Sequence, residues 1–244
     1  MSEKPPPLSA IQPVPAARSG SAALSERLLD EGDTAAIAAL REEVLACLPH
    51  PDCYVREAGE AAFIRAHHPP RGETLGVFDG EQLVAYAMLG LPARDDPSNL
   101  GRALGLPAAR RGEVAHLASC MVRPGWRGLG LQRALLSTRL VLARSHGRPL
   151  CVATVSPHNH ASRHNMLRRG LHLAALCQVD GLLRQIALID LDHGLHVDAG
   201  DERLIDSGDT AAQRAAFADG YVVLGDLREP GGVRLRFLRR LDLG

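Results

Sequence analysis

The stretch RPGWRGLGLQRALL, residues 123–136, places Pro124, Gly125, Gly128 and Gly130 directly ahead of a run of strong helix formers. Proline and glycine punctuate loops, so the change predicts a sharp turn that delivers the chain to a helix N-terminus. A helix begins with backbone N–H groups that have no intrahelical partner, and the positive end of its dipole lies there. Glycines at 128 and 130 remove the side chains that would hold an anion away. The stretch therefore predicts a cradle for a phosphate or pyrophosphate, built from the N–H groups of about Gly128 to Gln132, with Arg127 adding charge. Its spelling excludes two common phosphate-binding designs. GLGLQR lacks the last glycine of G-x-G-x-x-G, and no G-K-[ST] occurs in the chain.

The elements around this turn are legible from pattern. A short strand near 23–29 leads to Gly32, Asp33 and Thr34, which cap the helical run AAIAALREEVLACL, and a second helix is expected over 57–67. ETLGVFDGEQLVAYAMLGL reads as a hairpin about Asp79-Gly80, with strands near 74–78 and 82–91. EVAHLASCMV, 113–122, reads as a strand stopped by Pro124. Helix follows over 131–146, strand in PLCVATVS, and a short helix over 161–169 closed by Gly170. Two strands near 172–178 and 183–191 complete this part. Beyond residue 193, one short helix capped by Asp209 and strands in GYVVLGDL and VRLRFLRR are expected. No internal repeat is legible; the two GDTAA strings at 32 and 208 read as helix caps reached independently.

The middle of the chain runs strand ending V-x-P, R-G-x-G turn, helix, strand, and a short helix that opens near Asn159 and closes at Arg169-Gly170-Leu171. In this order it resembles the GCN5-related N-acetyltransferases, the GNAT family, over roughly residues 22–191. Arg127-Gly128-Leu129-Gly130-Leu131-Gln132 is similar to the family turn [QR]-x-x-G-x-[GA], departing from it at Gln132. The resemblance implies a mixed α/β (α+β) GNAT fold: a mostly antiparallel sheet containing one splayed parallel strand pair, flanked by helices. It implies a domain over 21–192, preceded by a Pro-rich disordered tail at 1–20 and followed by an extension, 193–244, of one short helix plus strands packed on the same domain.

The resemblance also implies an activity: transfer of an acetyl group from acetyl-CoA to an amine of a small molecule or peptide by direct attack. The cofactor would be met by Met121, Val122, Arg127, Gly128, Leu129, Gly130, Leu131, Gln132, Asn159 and Ser162. Family bases commonly lie on the strand before the turn. Counting back from Val122, positions 116, 118 and 120 share a face of a regular strand, which makes His116 the candidate base and Glu113 the alternative. Met166 stands where many members carry a tyrosine that protonates the departing sulfur, and a thioether cannot donate a proton. Tyr86, Ser119 and Cys120 are the donors that the sequence offers instead. Gln132 and Met166 also motivate the alternative of a GNAT-like acyl-CoA-binding or regulatory module with little turnover.

Composition bears on partners. Lys plus Arg and Asp plus Glu are 28 each, which argues against a life on nucleic acid or an anionic membrane. Five cysteines without a C-x-x-C pair favour a reducing compartment, and the chain is read as cytoplasmic. His158, His160 and His164 invite a metal, but no carboxylate or thiolate lies nearby in sequence, so no metal is expected. Trp126 is read as packing over the turn. The C-terminal strands either complete the sheet or join two subunits in a homodimer.

Overall fold

A computed structural model describes residues 23–241 apart from 55, 56 and 58. The Pro-rich segment 1–20 lies outside the described residues. Ten strands form one sheet: β1 Ser25–Leu29, β2 Gly72–Asp79, β3 Gln82–Gly90, β4 Val114–Val122, β5 Leu150–Val155, β6 His172–Val179, β7 Leu182–Asp190, β8 Val197–Asp206, β9 Tyr221–Glu229 and β10 Gly232–Arg240. Six helices flank it: α1 Thr34–Leu45, α2 Glu60–Arg65, α3 Ala108–Arg111, α4 Leu131–Ser145, α5 His160–Leu167 and α6 Thr210–Ala218. The strand order is β1-β2-β3-β4-β5-β7-β6-β9-β10-β8. Every pairing is antiparallel except β4 with β5.

Alternation along β3 divides the two faces. Tyr86 and Met88 pack under α1 and α2 with Ile37, Leu40 and Ile64. Ala85 and Ala87 point the other way, onto Leu131 and Leu135 of α4. A larger core on the α4 side runs through β5, β7, β6, β9 and β10 and takes in residues of α5 and α6.

The expectation that the chain holds no internal repeat is corrected by strand register. In β5–β7, Val155 faces Gln185 and Val152 faces Leu188; in β8–β10, Ile205 faces Leu235 and Glu202 faces Leu238. The hairpin β6–β7 closes Val179 on Leu182 and slips register between Leu173 and Ala175; β9–β10 closes Glu229 on Gly232 and slips opposite Arg236/Phe237. The caps follow the same shift: Asn159 accepts from the Ser162 amide and Asp209 from that of Ala212, and Gly170 and Gly220 both turn at φ 85°. Each position in the second set lies fifty residues after its counterpart. The unit β8–α6–β9–β10 thus repeats β5–α5–β6–β7. The two join through β6 and β9, where Leu173 pairs with its own counterpart Val223, so an approximate two-fold axis passes through that pair. Glycines and caps, not core identity, carry the repeat, which is why the sequence hides it.

The strand β8 was also absent from the sequence reading. Its segment VDAGDERLID is dominated by charge, which hides a strand pattern. Those charges are paired across the sheet: Arg236 with Glu202 and Arg239 with Asp201, both at 2.8 Å. They keep one face of an edge strand in water, where charge also discourages pairing with other chains.

Because both units share one sheet and one core, they should unfold together. Phe237 is fully buried in that shared core, and Phe237→Ala should cost about 3–5 kcal/mol. In denaturant titrations of wild type and variant, the fluorescence of Trp126, in the turn between β4 and α4 and outside the second unit, and the far-ultraviolet circular dichroism should report coincident transitions. Separate transitions would show that the second unit folds as an independent module.

Candidate functional site

β4 is irregular where it matters. Ala87 pairs with Cys120 and Leu89 with Leu117, so Met88 alone faces both Ala118 and Ser119. One extra residue on β4 is a β-bulge, and it reverses the side-chain alternation beyond it. Leu117 packs on the α4 side, yet Met121, four residues later, packs under α1 and α2. The expectation that 116, 118 and 120 share one face is therefore corrected: Cys120 turns to the α4 side. Ser119 turns to the α1 side, where its Oγ lies 2.9 Å from Tyr86 Oη.

The bulge is held from the α4 side by Arg139, which donates through Nη1 to the carbonyls of Met88 and Ala118 at 3.1 and 3.2 Å. This arginine is 2% exposed, and burial pulls its pKa down. It stands among the apolar residues of α4, a departure from the helical stripe that could have drawn attention in the sequence. On the other face, the buried Arg41 donates to Tyr54 Oη at 2.7 Å and to Tyr86 Oη at 3.2 Å, and pairs with Glu60. Burial raises the Tyr86 pKa above its ordinary value, so its hydroxyl stays protonated.

Past the start of β4 the parallel pair comes apart. Val114, Ala115 and His116 pair with Leu150, Cys151 and Val152, and the register ends there. The edge of Leu117–Val122 that faces β5 then has no strand partner among the described residues. Buried or half-buried N–H and C=O groups seek partners, and an extended, amide-bearing ligand arm has the form of a missing strand.

The gap opens toward the glycine turn. Pro124–Trp126 form one 3-10 turn, then Gly128 and Gly130 adopt φ of 82° and 79°. This left-handed region strains residues with a side chain. Gly130 is the N-cap of α4, and no side chain caps the helix there, so the first amides of α4 face outward unpartnered by side chains. A Cβ built on Gly128 would meet nothing within 4 Å, so the space beside it is open. A diphosphate fits this place: exposed amides, the positive end of the α4 dipole, and room that any side chain at 128 would reduce.

The predicted cofactor residues are distributed as follows. Arg127 is exposed beside the turn, its Nε 3.4 Å from the Val122 carbonyl. Leu129 and Leu131 pack their side chains into the core below and leave only main chain for a ligand. Gln132 turns toward α5, donating to Ser162 Oγ at 2.9 Å and accepting from Asn165 Nδ2 at 2.6 Å. The departure from a small residue at this position is thereby accommodated: its side chain ties the starts of α4 and α5 together. Asn159 Oδ1 accepts from the Ser162 amide at 3.1 Å. Met121 and Val122 stand at the end of the unpaired edge.

The structure does not bring the two candidate bases to this gap in usable form. The Leu100 amide donates to His116 Nε2 at 3.0 Å, which occupies the lone pair a base would need. Burial pushes the His116 pKa down to about 4. Glu113 precedes β4 at its far end and pairs with Arg110 at 3.0 Å. From Val122 it is about 30 Å away along an extended strand. It lines a different cleft of about 1350 Å³, with Arg110, His172, Asp190 and His196, at the opposite end of the sheet from the glycine turn. Met166 is buried in the core.

A profile of the acetyltransferase (GNAT) family matches residues 37–171, more than half of the chain. The chain belongs to the GNAT acetyltransferase family. Solved structures agree on the fold. An N-acetyltransferase from Staphylococcus aureus superposes with a TM-score of 0.54 at 17% identity, over 70% of this chain and 99% of the other. A Salmonella typhimurium protein solved with its cofactor acetyl-CoA gives 0.53 at 21%, over 72% and 98%. A polyamine N-acetyltransferase from Drosophila melanogaster gives 0.51 at 17%, over 69% and 100%. No curated protein matches this chain by sequence. Among the described residues, no helix is long and apolar enough to cross a membrane.

The placement of His116 has a pH consequence. An unfolded histidine titrates near 6.5, and this one near 4 in the fold. Between those values the unfolded chain binds more protons, so stability is present above pH 6.5 and is lost as pH falls toward 4. Thermal unfolding midpoints should drop across that window. His116→Gln, which can still accept from Leu100, should flatten the drop. The remainder belongs in part to His172, which burial also pushes down to about 4.

Proposed function

We propose that this GNAT chain transfers an acetyl group from acetyl-CoA to an amine of a small molecule or peptide. The observation that carries the reading is the end of β4–β5 pairing at His116, on the side of the sheet that leads directly into the left-handed glycine turn. Acetyl-CoA supplies a thioester as acyl donor. The amides from Gly128 to Gln132 hold its diphosphate, with Arg127 beside them, and the free edge at Met121 and Val122 meets the pantetheine arm. Asn159 and Ser162, at the start of α5, close the far side. An N–H of the unpaired β4 edge polarises the carbonyl as negative charge grows on its oxygen.

The acceptor must lose a proton before or during attack. With His116 engaged by Leu100 and Glu113 at the far end of β4, the proton leaves through solvent. The face under α1 and α2 presents the neutral hydroxyls of Ser119 and Tyr86, and the Glu60 carboxylate there is taken up by Arg41. The second reading, an acyl-CoA-binding module with little turnover, draws on the same geometry and on Met166, which offers no proton to the leaving thiolate.

Two measurements test this. Gly128→Val places a branched side chain in the open space beside the turn at a cost of about 1–2 kcal/mol in backbone strain. It should remain folded but lose the rise in melting temperature that CoA gives the wild type, since a ligand specific to the native state stabilises it. An equal rise in both would remove the turn from the site. Thiol release from acetyl-CoA with a panel of amines then decides between enzyme and binder. In the enzyme, His116→Gln should change kcat/KM by less than about tenfold, against the roughly 10²–10⁴ of a positioned general base.

A further inference from the structure

The sequence offers a metal reading on His158, His160 and His164, and the fold gives each of the three a different partner. Arg163 Nη2 lies 2.6 Å from His160 Nδ1, and Asp226 Oδ1 lies 2.7 Å from His164 Nδ1. His158 instead meets a residue more than one hundred positions earlier. Its ring stacks on that of His50, with centroids 3.9 Å apart and planes 16° from parallel. Asp52 completes the group: one ligand-capable atom from each of His50, Asp52 and His158 falls within 4.8 Å of the other two.

We propose that His50, Asp52 and His158 form a binding site for a divalent first-row transition metal of the zinc class. Two imidazoles and one carboxylate are a donor set suited to such ions and poorly suited to calcium or magnesium, which take oxygen ligands. Three protein ligands leave at least one coordination position to water or another molecule. His50 Nδ1 now accepts from the Asp52 amide at 3.1 Å and lies 4.0 Å from Asp52 Oδ2; a cation takes over that lone pair, and because imidazole lone pairs lie in the ring plane, the stacked rings turn out of parallel to reach it. Both side chains are partly exposed, so the ion has a path in. Arg184 acts on Asp52 through its charge, and its repulsion makes the site weaker than a closed four-ligand zinc centre.

The position gives the site a consequence. His50 and Asp52 follow α1, which packs against β3 and β4 on the face of Ser119 and Met121. His158 follows β5 and directly precedes Asn159, the cap of α5. A metal here fastens the segment after α1 to the corner where β5, past its pairing with β4, enters α5. The binding itself does not depend on acetyl transfer, so it stands or falls separately from the functional reading.

The test is calorimetric titration of the full-length, metal-stripped protein with Zn²⁺, followed by Co²⁺ substitution. The expected result is one equivalent bound, with visible Co²⁺ absorption of a low-symmetry site. His158→Ala and His50→Ala should each weaken binding at least tenfold, with the circular dichroism spectrum unchanged. Asp52→Asn should weaken it less. Absence of stoichiometric binding overturns the proposal. So does binding that survives both histidine variants, which would place the ion elsewhere, for example at His193 and Asp190.

Discussion

The separation of β4 from β5 after three paired residues is the constraint on which the site depends. A sheet interior leaves few main-chain groups unpaired, because each costs free energy when water is excluded. Here a run of β4 keeps its bonds to β3 on one side and none to β5 on the other. The bulge at Ala118 and Ser119 sustains this by twisting β4, and Arg139 holds the bulge by satisfying the two carbonyls it displaces. The glycine turn then begins where the free edge ends, so one continuous stretch of main chain presents strand amides, then turn amides, then helix amides.

Sequence pattern revealed the parts that rest on local rules. The glycine turn, the hairpin at Asp79-Gly80 and the closure of α5 by Gly170 follow from backbone preferences that individual residues impose. The bulge was hidden because nothing in HLASCMV distinguishes seven regular residues from six plus one, and a one-residue slip exchanges the two faces. That slip is why Cys120 left the face on which His116 was counted. The role of His116 was hidden for a different reason: its partner, the Leu100 amide, lies in a loop with no pattern of its own. Gln132 was legible as a departure, but its bonds to Ser162 and Asn165 required the packing of α4 against α5.

The C-terminal unit shows how a sheet can grow without a second site. It repeats β5–α5–β6–β7 but not β4, the glycine turn or α4, so it supplies only strands and a capped helix. The helices cross over the join: α5 packs on β9 and α6 on β6. Gln213 of α6 accepts from Gln185 of β7 at 2.9 Å, inside the shared core. The extra unit therefore covers the β6 edge that would otherwise be open and leaves a charge-paired strand, β8, as the new edge.

Hydrogen exchange of the main-chain amides, read by mass spectrometry with and without CoA, tests the account most directly. Slowed exchange in peptides spanning 117–134, with the peptides that line the far cleft around His172 and His196 unchanged, is the predicted result. Protection confined to that far cleft, or none in 117–134 at saturating CoA, would contradict it.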